Sequence, residues 1–363
     1  MVAESTASGQ SKGAAAATAA TAAPFSHCDI HLIRTLSPEI IQHTWINNKE
    51  EWGKSMDLET YLSRERYLND QTLARDGKLK TWVLVPKSFD PEHPDLLLRR
   101  LIVLESLVPK IKVCKMCSAS VLARRLWDEI SRMDNVSFTL LHSDIGPTFY
   151  SRFGWIAQRS DEIAIPTSYT IVVDSNSHQD PVSLENIGDS NMQDVTTLDI
   201  QLLRESLKAQ LEESTNSDKL LFAVIPDIHC IQWINARAKY YVQHVLKQDQ
   251  HDITVLGVKD LHSDSFALWY HNVLHHELYI VRWRLDPTAG EHVACALIQA
   301  AQAEAKKWNM SKVVIWNPEQ SLADLLRVEI KPRDSSLSAL GAVSPLLDSK
   351  NIEWVLNEKY ATW

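Results

Sequence analysis

The chain has 363 residues and a formal net charge of −9, with 45% hydrophobic and 23% charged residues, the balance of an ordinary soluble globular protein long enough for two domains. Its basic residues cluster only as pairs (Arg99-Arg100, Arg124-Arg125, Lys306-Lys307), which argues against nucleic acid as the main partner. No apolar run approaches the roughly 18–20 residues that cross a bilayer, and five cysteines, an odd number, fit a reduced compartment rather than a disulfide framework.

Residues 1–24 are Ala/Thr/Ser low complexity with almost no large apolar side chains, so they are expected as a disordered tail. They carry neither a Leu/Val-rich secretory core nor the arginines of a transit peptide, and the cytoplasm is the expected location. A short strand is predicted over Ile30–Arg34. A helix follows, with Ser37 as its cap and Pro38 at its first position, and then another behind the cap Asp57. "KLKTWVLVPKSF" and "DLLLRRLIVLESLV" read as two strands joined by the Pro-rich turn "DPEHPD". "ASVLARRLWDEISRM" is an amphipathic helix, "VSFTLLHS" a buried strand, and "IGPTFYSRF" a short helix that Gly154 closes.

From Ile163 to about Ser217 the pattern weakens, and Pro166 and Pro181 mark a linker that holds one helix, "DVTTLDIQLLRESLKAQLEES". Beyond it come a strand, "KLLFAVIPD", a helix, "IHCIQWINARAKYYVQHVL", and a strand pair, "SFALWYHNVLHHELYIVRWRLD". A long helix, "EHVACALIQAAQAEAKKWNM", and a buried strand, "KVVIWNP", close the series. Strands alternating with helices imply an α/β, mixed-sheet class, and the second half echoes the first as a degenerate copy of it would.

The stretch "LLHSDIGPTFYSRFGW" carries the chemistry. A strand ends at His142-Ser143, a turn follows, and a short aromatic helix presents Tyr150. Transfer of an acyl group to an amine needs a base for the amine's proton and a donor for the leaving thiolate, and a positioned phenol suits the second task. The stretch resembles the closing motif of the GNAT N-acetyltransferase superfamily. That resemblance implies Tyr150 as the general acid, Phe149 and Arg152 beside the cofactor's arm, and acetyl-CoA as the cofactor. His142, at the end of the same strand, is the candidate base or water relay. Packing of the aromatics against a sheet is the plainer reading of the same turn.

More widely, "LETYLSRERYL", "DGKLKTWVLV", "QWINARAKY", "AAQAEAKKWNMSKVVIWNPE" and "EWVLNEKYATW" resemble the fungal L-lysine N6-acetyltransferase family, in that family's order. The resemblance implies a small-molecule amine as acceptor, plausibly the side chain of free L-lysine. It also implies a GNAT-like domain over residues 25–168, a linker over 169–217 and a C-terminal GNAT-like domain over 218–363. The departure is the cofactor loop, where the superfamily carries glycines: this chain has none between Gly77 and Gly146. Without glycine, side chains keep the backbone from the pyrophosphate. Lys115, with Lys110 and Lys112, and the hydroxyls of Ser118 and Ser120 are the phosphate-binding candidates left. Three readings stand: an inactive relative acting as a binding or regulatory protein, a chain that lost an exon near 108–120, or CoA bound by another arrangement.

Four further groups invite comparison. Cys114 and Cys117 form a lone CxxC, and His271, His275 and His276 read as a solvated turn, so no metal site is expected. Gln232, Trp233 and Arg237 share a helical face that the family resemblance places over the substrate side, with packing of Trp233 into the core as the plainer reading. Glu358, with Glu353 and Tyr360, is the candidate acidic wall for a cationic amine. Twelve tryptophans suffice to line a cleft or to fill a core.

Overall fold

The computed structural model describes residues 30–35, 37–53, 55–76, 78–87, 102–106, 117–171, 182–213, 220–246, 252–344, 347 and 351–362. The expected tail, Lys110, Lys112, Cys114 and Lys115 lie outside them; Cys117 and Ser118 are described in their backbone only.

The first half opens on β1 (Ile30–Thr35), α1 (Pro38–Trp52) and α2 (Leu58–Asn69). Both helices start where their caps require: Ser37 Oγ accepts from the Ile40 amide at 3.3 Å and Asp57 Oδ1 from that of Thr60 at 2.8 Å. Next come β2 (Lys80–Pro86), β3 (Ile102–Ser106), α3 (Cys117–Ile130) and β4 (Phe138–Ser143), then a 3₁₀ turn over Tyr150–Phe153, β5 (Ile156–Ala157) and β6 (Asp161–Pro166).

The second half runs β7 (Leu184–Ile187), α4 (Met192–Glu213), β8 (Leu220–Phe222), α5 (Ile228–Tyr240), β9 (Gly257–Asp260), β10 (Phe266–Asn272) and β11 (Glu277–Arg284). It continues with α6 (Glu291–Lys307), β12 (Lys312–Trp316), α7 (Gln320–Leu326), β13 (Lys331–Pro332), β14 (Leu337–Ala342) and β15 (Ile352–Trp354). Apart from β8 and one additional strand before the long helix, the series β7, α4, α5, β9–β11, α6, β12 repeats the order of β1, α1, α2, β2–β3, α3, β4. The class is mixed α/β, with two halves of like order.

The halves exchange strands. β14 lies between β4 and β5, antiparallel to both, and β6 lies between β12 and β13 in a seven-stranded sheet, β13-β6-β12-β11-β10-β9-β7. β1, β2 and β3 form an antiparallel sheet of their own, and β8 pairs in parallel with β15. The weak pattern after Ile163 therefore contains two strands, β6 and β7. In β6 only Ile163 and Ile165 alternate inward, too short a run to stand out, and β7 is a largely polar edge.

α3 closes the first half by packing Leu122, Ala123 and Leu126 against Trp82 and Leu84 of β2 and Leu141 of β4. Its Trp127 meets Trp155 edge-on, with ring centres 4.7 Å apart. The indole fits because two glycines leave room: a Cβ at Gly154 would come within 2.4 Å of it and one at Gly341 within 2.5 Å. Gly154 also has φ +122°, as expected of the residue that ends the aromatic turn. Gly341→Ala should therefore lower stability by about 1–3 kcal/mol through overpacking of Trp127, read by chemical denaturation. A variant as stable as the native chain would contradict this packing.

Candidate functional site

The seven-stranded sheet has two unlike faces, and strand register decides which side chains share one. Glu162 stands opposite Trp316, Lys312 opposite Glu277 and Tyr279 opposite Tyr270. Because alternate residues point to opposite faces, these six lie on one side. The other side carries Ile163, Val313, Ile315, Leu278 and His271, over which α6 packs. There His271 is fully buried within β10, not in a solvated turn, and bonds Glu304 of α6 at 3.1 Å. Burial holds its imidazole below the usual range.

The open face floors a cavity of about 730 Å³. α1 and α2 contribute Trp45, Trp52, Arg64 and Glu65 to its walls, and α5 contributes Trp233 and Arg237. β4 supplies His142, the turn after it Asp144, and the chain leading into β14 supplies Arg333 to Ser336. α2 is anchored to the second half by two bonds: Arg64 donates to the Tyr241 hydroxyl, and the Tyr240 hydroxyl donates to the Thr60 carbonyl at 2.9 Å. Both halves thus build one site.

Its charges are mixed. Lys312 pairs with Glu277 at 2.9 Å, and Glu277 also accepts from the Tyr279 hydroxyl at 2.8 Å. The Arg333 guanidinium lies 3.5 Å and the Lys359 ammonium 3.9 Å from the centre of the Trp316 ring, a cation–π arrangement. Burial pushes Arg333 down to about 10, which leaves it cationic at neutral pH. Glu162 sits among these groups with its carboxyl held above the usual range: burial raises it, Lys312 and Arg333 oppose, and Glu277 and Asp334 add to the rise. A carboxylate raised in this way is a stronger base than an ordinary one.

The sequence-derived candidates fall in different places. His142 and Trp233 line the cavity, with the His142 ring 6.0 Å from that of Trp316. Tyr150 lies outside its lining. The residue is 2% exposed and packs among Leu122, Leu141 and Trp155, with Phe149 edge-on at 4.9 Å. Burial, and then Asp144, hold its phenol well above the ordinary range. Arg152 is exposed, its guanidinium 5.0 Å from the centre of the Phe149 ring. Ser120 is half-buried in the first turn of α3, and Ser118 heads the same helix. Gln232 is exposed, away from the cavity lining.

Glu358 is committed elsewhere. It accepts from Arg282 at 2.9 Å and from the Trp283 amide at 3.3 Å, while Arg282 also grips Asp199 at 2.6 Å. Tyr360 donates to the Val224 carbonyl at 2.6 Å. Sequence reasoning left out Arg64, Glu162, Glu277 and Arg333. The one local signal was the alternation of Glu162 and Ala164 with Ile163 and Ile165, which puts the carboxylate on the face away from the core.

Among known families, residues 168–363 match the one described as the LYC1 GNAT-like C-terminal domain. No curated protein matches the chain. Similar solved structures include a GCN5-related N-acetyltransferase from Anabaena variabilis, 13% identical over 87% of this chain and 73% of that one, with a TM-score of 0.46. A probable N-acyltransferase from Enterococcus faecalis is 10% identical over 86% of this chain and 72% of its own, with a TM-score of 0.45. A tandem GNAT protein of clavulanic acid biosynthesis is 10% identical over 87% and 99%, with a TM-score of 0.43. With more than half its length matched, the chain belongs to the LYC1-like family of GNAT proteins.

Proposed function

We propose that the chain is an acetyl-CoA-dependent N-acetyltransferase whose acceptor is the side-chain amine of free L-lysine or a related small molecule. The cavity is the observation that carries this reading. It offers aromatic faces and carboxylates to an ammonium group and guanidiniums to an anionic one, and it has the size of a small-molecule site. When bound, acetyl-CoA supplies an activated acetyl thioester and a thiolate leaving group.

The acceptor amine becomes nucleophilic only after it sheds a proton. In this proposal Glu162 takes that proton at its carboxylate, and His142, near the same Trp316 ring, relays it outward. Tyr150 holds a proton at its phenol oxygen across the physiological range. Phe149, Arg152, Lys115, Ser118 and Ser120 belong to the cofactor side. The fit on that side is divided. A phenol kept protonated by burial suits a donor, yet at 2% exposure the cluster around it has to open before a sulfur atom reaches it.

The same enclosed phenol, with the missing glycines, favours a second reading: a protein of this fold that binds ligands without turnover. Calorimetry with acetyl-CoA, followed by a thiol-release assay with lysine, separates the two. Binding and release are expected; no binding at millimolar cofactor leaves the second reading. Tyr150→Phe should cut turnover by about 10²–10⁴-fold at nearly unchanged acetyl-CoA affinity, and an unaltered rate would remove the donor role.

Glu162→Gln tests the base through stability as well as rate. A carboxyl whose folded pKa is raised is ionised at a cost at pH 7, and its contribution to stability is lost as pH rises through that pKa. The glutamine avoids this cost. The variant should melt higher than the native chain at pH 7, with the gap closing below about pH 4, where both side chains are neutral in either state. It should also acetylate more slowly. A lower melting temperature at neutral pH would mean that Glu162 belongs to a stabilising ion pair rather than to a strained site.

A further inference from the structure

One end of the cavity carries more positive than negative charge. Arg64, only 3% exposed, spends its guanidinium on the Trp52 carbonyl at 3.1 Å, the Tyr241 hydroxyl and the Glu65 carboxylate. Arg237, one helical turn beyond Trp233 on α5, lines the same end. Its Nε is buried and meets no acceptor. The guanidinium hydrogen-bonds the Tyr241 side chain, and its charge also acts on Tyr270 and Glu65. Among the described residues, two guanidiniums therefore share one carboxylate.

A buried cation without its own counter-charge is costly, and an anionic oxygen brought by a ligand removes that cost. The guanidinium fork matches a planar carboxylate in two parallel hydrogen bonds. The rest of the lining decides which anion fits. Asp144, Glu162, Glu277 and Asp334 stand along the same cavity, so a multiply charged phosphate ester would meet four carboxylates. A molecule with one carboxylate and, at its far end, an amine would find a favourable neighbour at each end.

We propose that Arg237, backed by Arg64, is the carboxylate-binding residue of the cavity, selecting a free amino acid over a simple diamine or a carboxyl-blocked derivative. The inference rests on the cavity being the acceptor site, and it adds a direction: carboxylate toward α2 and α5, amine toward β6 and β12.

Binding of L-lysine, L-lysinamide and 1,5-diaminopentane to the full chain, measured by calorimetry without acetyl-CoA, tests it. Lysine should bind about 10- to 100-fold more tightly than the other two, the range expected for hydrogen bonds to a charged group. Arg237→Gln should erase the preference, and Arg237→Lys should restore part of it; thermal melting reports whether each variant folds. The comparison of ligands on the native chain stands even if neither does. Equal affinities, no binding by any of the three, or a variant that weakens all three alike overturns the assignment. Acetylation assays with the same amines keep the two proposals apart. Equal turnover of all three retains the transferase and discards the subsite, whereas selective binding without turnover retains the subsite and discards the transferase.

Discussion

The structure depends on an exchange of backbone hydrogen bonds between its halves. β14 fills the gap between β4 and β5, and β6 fills the one between β12 and β13. Strand edges left open expose rows of unpaired amides and carbonyls, and burying such groups unpaired costs free energy at each one. Neither half completes its sheets alone. Strands some two hundred positions apart in sequence must therefore be in register before the walls of the cavity exist: His142 reaches it from β4, Glu162 from β6 and Arg333 from the chain that leads into β14.

Register also explains the chemistry of the floor. The seven-stranded sheet gives one face to α6 and an apolar core, and the other to Glu162, Trp316, Lys312, Glu277, Tyr279 and Tyr270. Side chains on that second face are half out of water without being free of it. Burial raises Glu162 and Tyr279 and lowers Arg333, while neighbouring charges of both signs temper the shifts. Elsewhere some charged groups are closed pairs. Arg282 with Asp199 and Glu358, and His271 with Glu304, satisfy one another in the interior. What sets the α2–α5 end of the cavity apart is that two guanidiniums there, those of Arg64 and Arg237, share the Glu65 carboxylate.

The like order of the two halves comes with unlike roles. In the first, α3 binds β2, β4 and the aromatic turn into one cluster around Tyr150 and Trp155. In the second, α5 and the open sheet face supply one wall and the floor of the cavity. The family match covers this second half, and the acceptor reading rests on it; the donor reading rests on the first, where the phenol is enclosed.

Local elements were legible in the sequence because short-range chemistry dictates them. Ser37, Asp57 and the apolar run through "FALWYHN" each act within a few residues, and caps, hairpin and the turn at Gly154 stand where those residues imply. Glu358 misled because its partners, Arg282 and the Trp283 amide, lie far away in the chain. β6 and β7 stayed hidden because a short strand inside a sheet is defined by its neighbours rather than by its own pattern. The residues by themselves determined the class, the order of most elements as far as β12 and the aromatic turn at Tyr150. Only the tertiary structure decided which carboxylates and guanidiniums share a cavity, because that depends on pairing between strands and helices such as Arg64 on α2 and Tyr241 after α5, 177 positions apart, and no local pattern encodes such a pairing.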